Sequence, residues 1–340
     1  MSKTILVTGA AGFIGSNASQ ILASRGDRVV GLDNLNDYYD PARKRANLEE
    51  VRQALAHTGQ GDGFTFVEGD IRDQNLVAEL FSAHSFDAVV HLAAMAGVRV
   101  SIENPHIYYD VNVTGTLNLV EASVGRFGGK AIGQKKPDSL PTFVFASTSS
   151  AYGNTKQIPF VENDPSDKPL APYAASKRAG ELLGYSYHYL YGLPFTALRF
   201  FTVYGPRGRP DMMAYKVLDN IFTGREVPLY NSGQMHRDWT YVTDIVQGIV
   251  GAVDRPLGYE IINLGRGEPV LLAEFVKTIE ELAGKPAHLI PTPMVDADIA
   301  YTFADITKAR DLLGYDPKLS VGQGVRQFWD WYQKTILSPS

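Results

Sequence analysis

YAASK (173–177) sets Tyr173 and Lys177 four residues apart in a stretch that reads as helix. Residues at i and i+4 share a helix face, roughly 6 Å apart. An ammonium there favours phenolate over phenol and makes the phenol a usable general base near neutral pH. The same spacing also arises by chance on surface helices, so the pair needs company. FASTSSAYG (145–153) supplies it: Ser147, Thr148, Ser149 and Ser150 stand in a row at the end of the apolar run TFVFA (142–146). Four consecutive hydroxyls with no carboxylate among them can donate hydrogen bonds, but they supply no acid or base for an elimination. The competing reading is that the serines only satisfy strand-end backbone groups.

A second constellation binds rather than reacts. GAAGFIG (9–15) places Gly9, Gly12 and Gly15 between a strand and a helix, with Phe13 and Ile14 inside the turn. Glycines there let the backbone approach a pyrophosphate, and helix N-terminal amides bind it. The spacing is GxxGxxG rather than GxGxxG, and such a turn can also be purely structural. Asp33 ends the second strand, where a carboxylate accepts bonds from a ribose diol and repels a 2′-phosphate. No arginine adjoins it, so NAD is favoured over NADP; a solvated strand-end acid would look the same. Asp70 ends the third strand, followed by Ile71, and can receive an adenine amino group. Leu92, Ala93 and Ala94 end the fourth, where small residues suit close passage of a dinucleotide. Asn34 and Asn112 complete the expected cofactor contacts.

These residues need a scaffold that brings strand ends together. TILVTGA (4–10), RVVGLD (28–33), FTFVEGD (64–70), FDAVVHLAA (86–94), TFVFAST (142–148) and FTALRFFTVYG (195–205) read as buried strands. Helical patterns at 15–26, 75–83 and 114–124 alternate with them. That alternation indicates an α/β fold, a Rossmann-like doubly wound parallel sheet covered on both faces. After about 205 the pattern changes. LLAEFVKTIEELAG (271–284) reads as an amphipathic helix with a glycine stop, and VGQGVRQFWDWYQK (321–334) as a last helix. The expected division is a cofactor-binding domain over 1–203, with a return near 238–266, and a smaller, interleaved C-terminal substrate domain over 204–340. GGKAIGQKKPDSLP (128–141) reads as a polar loop without function.

Composition narrows the chemistry. The net charge of −5 gives no electrostatic reason to expect nucleic acid or an anionic membrane. The chain has no cysteine, which excludes disulfides, thiolate metal sites and cysteine nucleophiles. Its seven histidines include no HExxH-like pair, so no metal site is expected. The first apolar run leads straight into glycines and is too short for a signal peptide or membrane span, which makes the cytoplasm the expected location.

GAAGFIG, Asp33, HLAA (91–94), the Thr148–Tyr173–Lys177 set, RFFTVYGP (199–206) and RDWTYVTD (237–244) resemble the extended short-chain dehydrogenase/reductase (NAD-dependent epimerase/dehydratase) family along nearly the whole chain. Within it, DNLNDYYD (33–40), LRFFTVYGPRGRPDM (198–212) and the hydroxyl run resemble the UDP-glucuronate 4-epimerases. The resemblance implies bound NAD and a UDP-sugar substrate whose C4 is oxidised and then reduced on the opposite face. Tyr173 would be the base, Lys177 its tuner and holder of the nicotinamide ribose, and Thr148 a hydrogen-bond partner of the reacting oxygen. Related dehydratases carry an Asp-Glu pair after the threonine, and decarboxylases usually a Glu nearby; here Ser149 and Ser150 follow. Hydroxyls suit a substrate carboxylate that an acid would repel.

Thr202 replaces the asparagine usual in UDP-galactose 4-epimerases, leaving room and a donor near C6. Arg209 could bind the carboxylate or be a surface-loop arginine. Arg237 is the candidate for the diphosphate, against a salt bridge with Asp238 or Asp244. Tyr204 and Tyr230 could line the nucleotide cavity or pack in the core. In MVDAD (294–298) only Asp298 matches the relatives, so no phosphate ligand is expected there. The rival activities are UDP-glucose/UDP-galactose 4-epimerisation, UDP-glucuronate decarboxylation and NAD sensing without catalysis. The aromatic-rich segments 104–123 and 172–192 correspond to helices that pair into a homodimer in this family.

Overall fold

The structure, a computed structural model, describes residues 2–127, 130–131, 140–294 and 297–338. Most of the polar loop at 128–141, and Val295 and Asp296, lie outside the described residues. The chain begins β1 (Thr4–Thr8), α1 (Phe13–Ser24), β2 (Arg28–Asp33), α2 (Pro41–His57), β3 (Phe64–Glu68), α3 (Gln74–Ala83) and β4 (Ala88–His91). Three short helices follow, α4 (Val98–Glu103), α5 (Pro105–Tyr109) and α6 (Gly115–Ser123), then a hairpin of β5 (Arg126–Phe127) and β6 (Lys130–Ala131). β7 (Thr142–Thr148), α7 (Pro172–Tyr191), β8 (Phe195–Phe200), β9 (Thr202–Tyr204), α8 (Met213–Thr223) and β10 (Glu226–Tyr230) come next. The remainder is β11 (His236–Tyr241), α9 (Val242–Asp254), β12 (Tyr259–Leu264), β13 (Pro269–Leu271), α10 (Leu272–Ala283), β14 (His288–Thr292), α11 (Thr307–Leu313) and α12 (Val321–Tyr332).

Seven strands form one parallel sheet in the order β3–β2–β1–β4–β7–β8–β12. The expected doubly wound sheet is present. All seven residues of β7 are buried, as a strand covered on both faces requires. One face packs on α1, α9 and α11 through residues such as Leu22, Ile249 and Leu313; the other packs on α3 and α6 through Val77, Leu119 and Val120. Strand order reverses between β1 and β4, which opens a crevice at their carboxyl ends. α7 lies close on β7 because Gly180 presents no side chain: a Cβ there would sit 2.4 Å from Phe145 Cζ.

The run at 195–205 is not one strand. It bends at Phe201, whose amide donates to Leu264 O at 3.1 Å. β8 stays in the large sheet, while β9 pairs with β11 in a second sheet that also holds β13. The bend carries Thr202 out of the large sheet. The helical segment at 104–123 is likewise interrupted, by a π turn over Asp110–Thr114.

β9, β11 and β13, the β10–β14 pair, α8, α10 and α12 enclose a separate core around Tyr204, Tyr215, Trp239, Phe275 and Phe328. Trp239 and Phe275 stack at 3.8 Å. From β11 the chain returns through α9 to β12 in the large sheet. Asp238 stands at this return, fully buried. It accepts from the amides of Arg266 (2.6 Å), Gly267 (2.9 Å) and Ala304 (3.1 Å) and from the Thr240 hydroxyl (2.9 Å). Asp238→Ala leaves three backbone amides, one of them fully buried, and the Thr240 hydroxyl without this acceptor. It is expected to cost about 3–5 kcal/mol, read as a lower denaturation midpoint; a loss below about 1 kcal/mol would show that these loops hold without it.

Candidate active site

The glycine turn is built by two close approaches. A Cβ at Gly15 would lie 1.9 Å from Gly9 O, and one at Gly9 would lie 2.8 Å from the Ala93 amide. Only hydrogen at both positions lets α1 start tight against β1 and β4. α1 has no side-chain cap at Gly12, so the first helical amides have no capping side chain and can serve a ligand. Asp33 is buried, not a solvated strand-end acid. It accepts from the amides of Ala11 (3.1 Å) and Leu35 (2.9 Å). Burial pushes its carboxyl up, opposed by those amides and by Lys44. Lys44 went unnoticed in the sequence. Its ammonium donates to the Asn36 carbonyl (2.8 Å) and side chain (2.6 Å), and so closes the loop after β2.

Asp70 accepts from Asn34 (2.8 Å) and from the Arg72 side chain (3.0 and 2.8 Å) and amide (2.8 Å). Burial acts against the charge, yet the bonds from Arg72 and Asn34 hold this carboxylate down at about 2. Asn112 is not among the residues that line the cavity. From the π turn its carboxamide accepts from the Met95 amide (2.8 Å) and donates to Met95 O and Ser176 Oγ (both 2.9 Å). It therefore fixes the loop after β4 from beneath.

Thr148 and Tyr173 meet where the end of β7 faces the start of α7. Thr148 Oγ1 accepts from the Ser150 amide at 3.1 Å, which leaves its proton free to donate outward. Burial pushes the Tyr173 phenol up; a hydrogen bond with Thr148 and the charge of Arg209 pull it down. Burial also drops Lys177 to about 7, with Glu181 opposing. The lysine is thus itself desolvated, and the tyrosine is expected to draw on the positive charge of a bound nicotinamide as well as on the ammonium.

Around this set runs one cavity of about 700 Å³. It touches Gly9, Gly12, Phe13, Ile14, Gly15, Asp33, Asn34, Asp70, Ile71, Leu92, Ala93 and Ala94 at one end. Thr148, Ser149, Ser150, Tyr173 and Lys177 lie in its middle, and Thr202, Arg209 and Arg237 beyond. A 120 Å³ recess opens off it between Ser149, Ser150, Thr202 and Arg237. Among the described residues the Ser149 and Ser150 hydroxyls make no hydrogen bond, so they are not spent on strand-end backbone. Such a glycine cradle, with a buried acid at the β2 end and a long crevice between, fits a dinucleotide.

The arginines differ from one another. Arg209 is no loose surface residue: it pairs with Asp211 (2.9 and 2.5 Å) and lies 5.2 Å over the Tyr38 ring. Arg237 donates to His236 O at 2.9 Å and makes no ion pair among the described residues. Asp238 and Asp244 are occupied by backbone amides instead, which removes the salt-bridge reading. Sequence reasoning missed Arg99, which pairs with Asp298 at 3.1 Å and stacks 3.7 Å over Tyr230. Nothing in its local pattern marked it; only the folded chain brings residue 99 beside 230 and 237. Tyr230 lines the cavity, whereas Tyr204 packs in the core and donates to Val321 O.

A profile of the NAD dependent epimerase/dehydratase family matches residues 5–265. The chain is 42% identical over 332 residues to a UDP-glucuronate 4-epimerase of Thermodesulfobacterium geofontis, covering 97% of this chain and 96% of that one. A UDP-glucuronic acid 4-epimerase from Bacillus cereus, solved with UDP-glucuronic acid and NAD, matches with TM-score 0.83 and 32% identity over 97% of this chain and 99% of that one. A UDP-glucose 4-epimerase from Thermotoga maritima, solved with UDP-glucose, matches with TM-score 0.84 and 31% identity over 98% and 99%. Backbone likeness does not separate a charged sugar from a neutral one; side chains must.

Tyr173→Phe removes the phenol that is hydrogen-bonded to Thr148. Turnover is expected to fall by about 10²–10⁴, while NAD released on denaturation stays at the wild-type amount. More than about a tenth of wild-type activity would take Tyr173 out of the base role.

Proposed function

The chain belongs to the NAD dependent epimerase/dehydratase family, and from that premise we propose that it inverts C4 of UDP-glucuronate to give UDP-galacturonate. The observation that carries this reading is the hydroxyl wall. Ser149, Ser150 and Thr202 face the recess beside Thr148 and Tyr173 with no free acid. Among the described residues four carboxylates line the cavity, and all are engaged: Asp33 by amides, Asp70 by Arg72, Asp211 by Arg209 and Asp298 by Arg99. A carboxylated sugar thus meets donors rather than like charge.

Gly9, Gly12, Gly15 and the first amides of α1 would hold the NAD pyrophosphate, Asp33 and Asn34 the adenosine ribose, and Lys177 the nicotinamide ribose. When bound, NAD supplies the acceptor for the C4 hydrogen as hydride, the donor for its return, and a positive ring that favours phenolate. Tyr173 Oη takes the proton of the 4-hydroxyl as that oxygen becomes a carbonyl, and Thr148 donates a hydrogen bond to it. After the keto sugar turns over, the same phenol returns the proton, which leaves the inverted carbinol. The intermediate is a β-keto acid, which loses CO₂ when the breaking bond aligns with the carbonyl π system. Ser149, Ser150, Thr202 and Arg209 hold the carboxylate out of that alignment. Arg237 and Arg99 bind the diphosphate. The division of labour follows: residues 1–203, with the return near 238–266, hold the cofactor, and 204–340 shape the sugar end. The cytoplasm is the location that suits this cofactor and substrate.

The test compares Thr202→Ala and Arg209→Ala on UDP-glucuronate and UDP-glucose. A lost charge-assisted bond is worth roughly 1.5–3 kcal/mol, so handling of the charged sugar should weaken about tenfold or more and the neutral one be spared. Some decarboxylated 4-keto-pentose should form. Equal loss on both sugars would argue for a neutral hexose or for a folding role.

The same reading includes a homodimer. Leu182, Tyr185 and Tyr189 form one exposed stripe on α7, with Tyr189 78% exposed, and Ile102 and Tyr109 are exposed on α4 and α5. Apolar helix surface of this kind suits a second copy. Light scattering at micromolar concentration should give twice the 37.3 kDa chain mass, and Leu182→Asp with Tyr189→Asp should give the monomer. A monomeric wild type would refute it.

A further inference from the structure

Of the four hydroxyls at the end of β7, Ser147 takes no part in the cavity chemistry described above, and its partner is not solvent or backbone. Its hydroxyl donates to Glu181 Oε1 at 2.5 Å. Glu181 lies on α7 with no exposed surface. Arg199 of β8 donates to it twice, at 2.8 Å each, and Arg178 once at 2.8 Å. An ion pair that only held α7 to β8 would be complete with Arg199. The additional bond reaches the residue directly before Thr148, and the carboxylate sits four residues after Lys177, itself four after Tyr173. Tyr173, Lys177 and Glu181 thus form one stripe along α7.

We propose that Glu181 is a positioning residue for the reacting set: through Ser147 it fixes Thr148 against α7, and it keeps a permanent negative charge one helical turn beyond Lys177. The inference rests on reading Tyr173, Lys177 and Thr148 as that set. Two consequences follow from the geometry. The distance from the Thr148 hydroxyl to the Tyr173 phenol is set by two elements, β7 and α7, and the Ser147–Glu181 bond is a direct side-chain tie between them beside the reacting groups. Lys177 must carry a proton to favour phenolate, yet its surroundings resist charge. It faces Tyr173 and Glu181 on its own helix, His91 from β4 and the Phe145 ring from β7 at 4.9 Å. Buried His91 is held neutral, and among the described residues Glu181 is the anion that acts on the lysine. Glu181 in turn faces Arg178, Arg199 from β8, Ser147 from β7 and Tyr259 from β12, with Tyr152 against Arg199. Arg199 and its other partners keep it ionised despite burial.

Without the Glu181 charge, two arginines are left uncompensated near Lys177, and the lysine loses its proton at lower pH. The experiment uses the NAD-loaded full chain and reads kcat and KM against pH. In Glu181→Gln the alkaline limb of the kcat profile should move down by about one pH unit or more, with KM within about twofold. Ser147→Ala keeps the charge and loses only the tie to β7. Its kcat should fall about tenfold at unchanged KM, its alkaline limb should stay in place, and Ser147→Thr should restore the rate. A wild-type alkaline limb in folded Glu181→Gln, or a Ser147→Ala kcat within about twofold of wild type, would overturn the proposal. If Glu181→Gln does not fold, Ser147→Ala alone decides. A wild type inactive on UDP-glucuronate would sink the substrate reading instead; the same profiles read on UDP-glucose would then decide this one.

Discussion

The contact between α7 and the sheet governs the rest of the site. Gly180 brings the helix down onto Phe145, and the Glu181–Arg199 pair locks it there, with side-chain exposures of 0% and 1%. Removing one partner of such a pair strands a charge in the interior, at a cost of about 3–5 kcal/mol. An apolar substitute could hold the helix as well. It could not accept a hydrogen bond from the strand-end hydroxyl of Ser147.

Charge distribution in the cavity follows a similar logic. A cleft for a dinucleotide, a diphosphate and a carboxylate needs cations and donors, yet its cofactor end requires acids for ribose and adenine. The chain meets both demands by engaging every acid in place, Asp70 with Arg72 and Asp211 with Arg209 among them. Arg237 alone among the cavity arginines has no carboxylate within ion-pair distance among the described residues. Half-buried without an ion-pair partner, it has its pKa lowered by desolvation, which is the state in which an incoming anion gains most from pairing.

The two cores are joined through backbone rather than through a hinge. β8 becomes β9 across a single residue, and β11 passes through α9 into β12 with Asp238 tying the loop at Arg266 and Gly267 and the segment at Ala304 to β11. Thr202 and Arg237 are therefore carried on strands that continue from, or lead back to, the cofactor sheet. A sugar site mounted in this way keeps its distance to Tyr173 fixed while its loops vary.

Local pattern was enough for the sheet, the glycine turn and the Tyr173–Lys177 pair, because each depends on short-range period: alternation of apolar runs, a helix start, an i,i+4 face. It was also enough to notice four hydroxyls where an acid is usual. It misjudged what depends on neighbours distant in the chain. The run at 195–205 is uniformly apolar, and nothing in it announces that a bond to Leu264 will bend it at Phe201. From its π turn Asn112 bonds Met95, a partnership that no local pattern shows. Arg99 and Glu181 had no local signal, since their partners lie at 298 and 199. Identity and spacing therefore determined which chemistry was available. Only the tertiary structure decided which hydroxyl faces the substrate and which faces Glu181, because alternate residues of a strand point to opposite sides and the helix laid against one side selects between them.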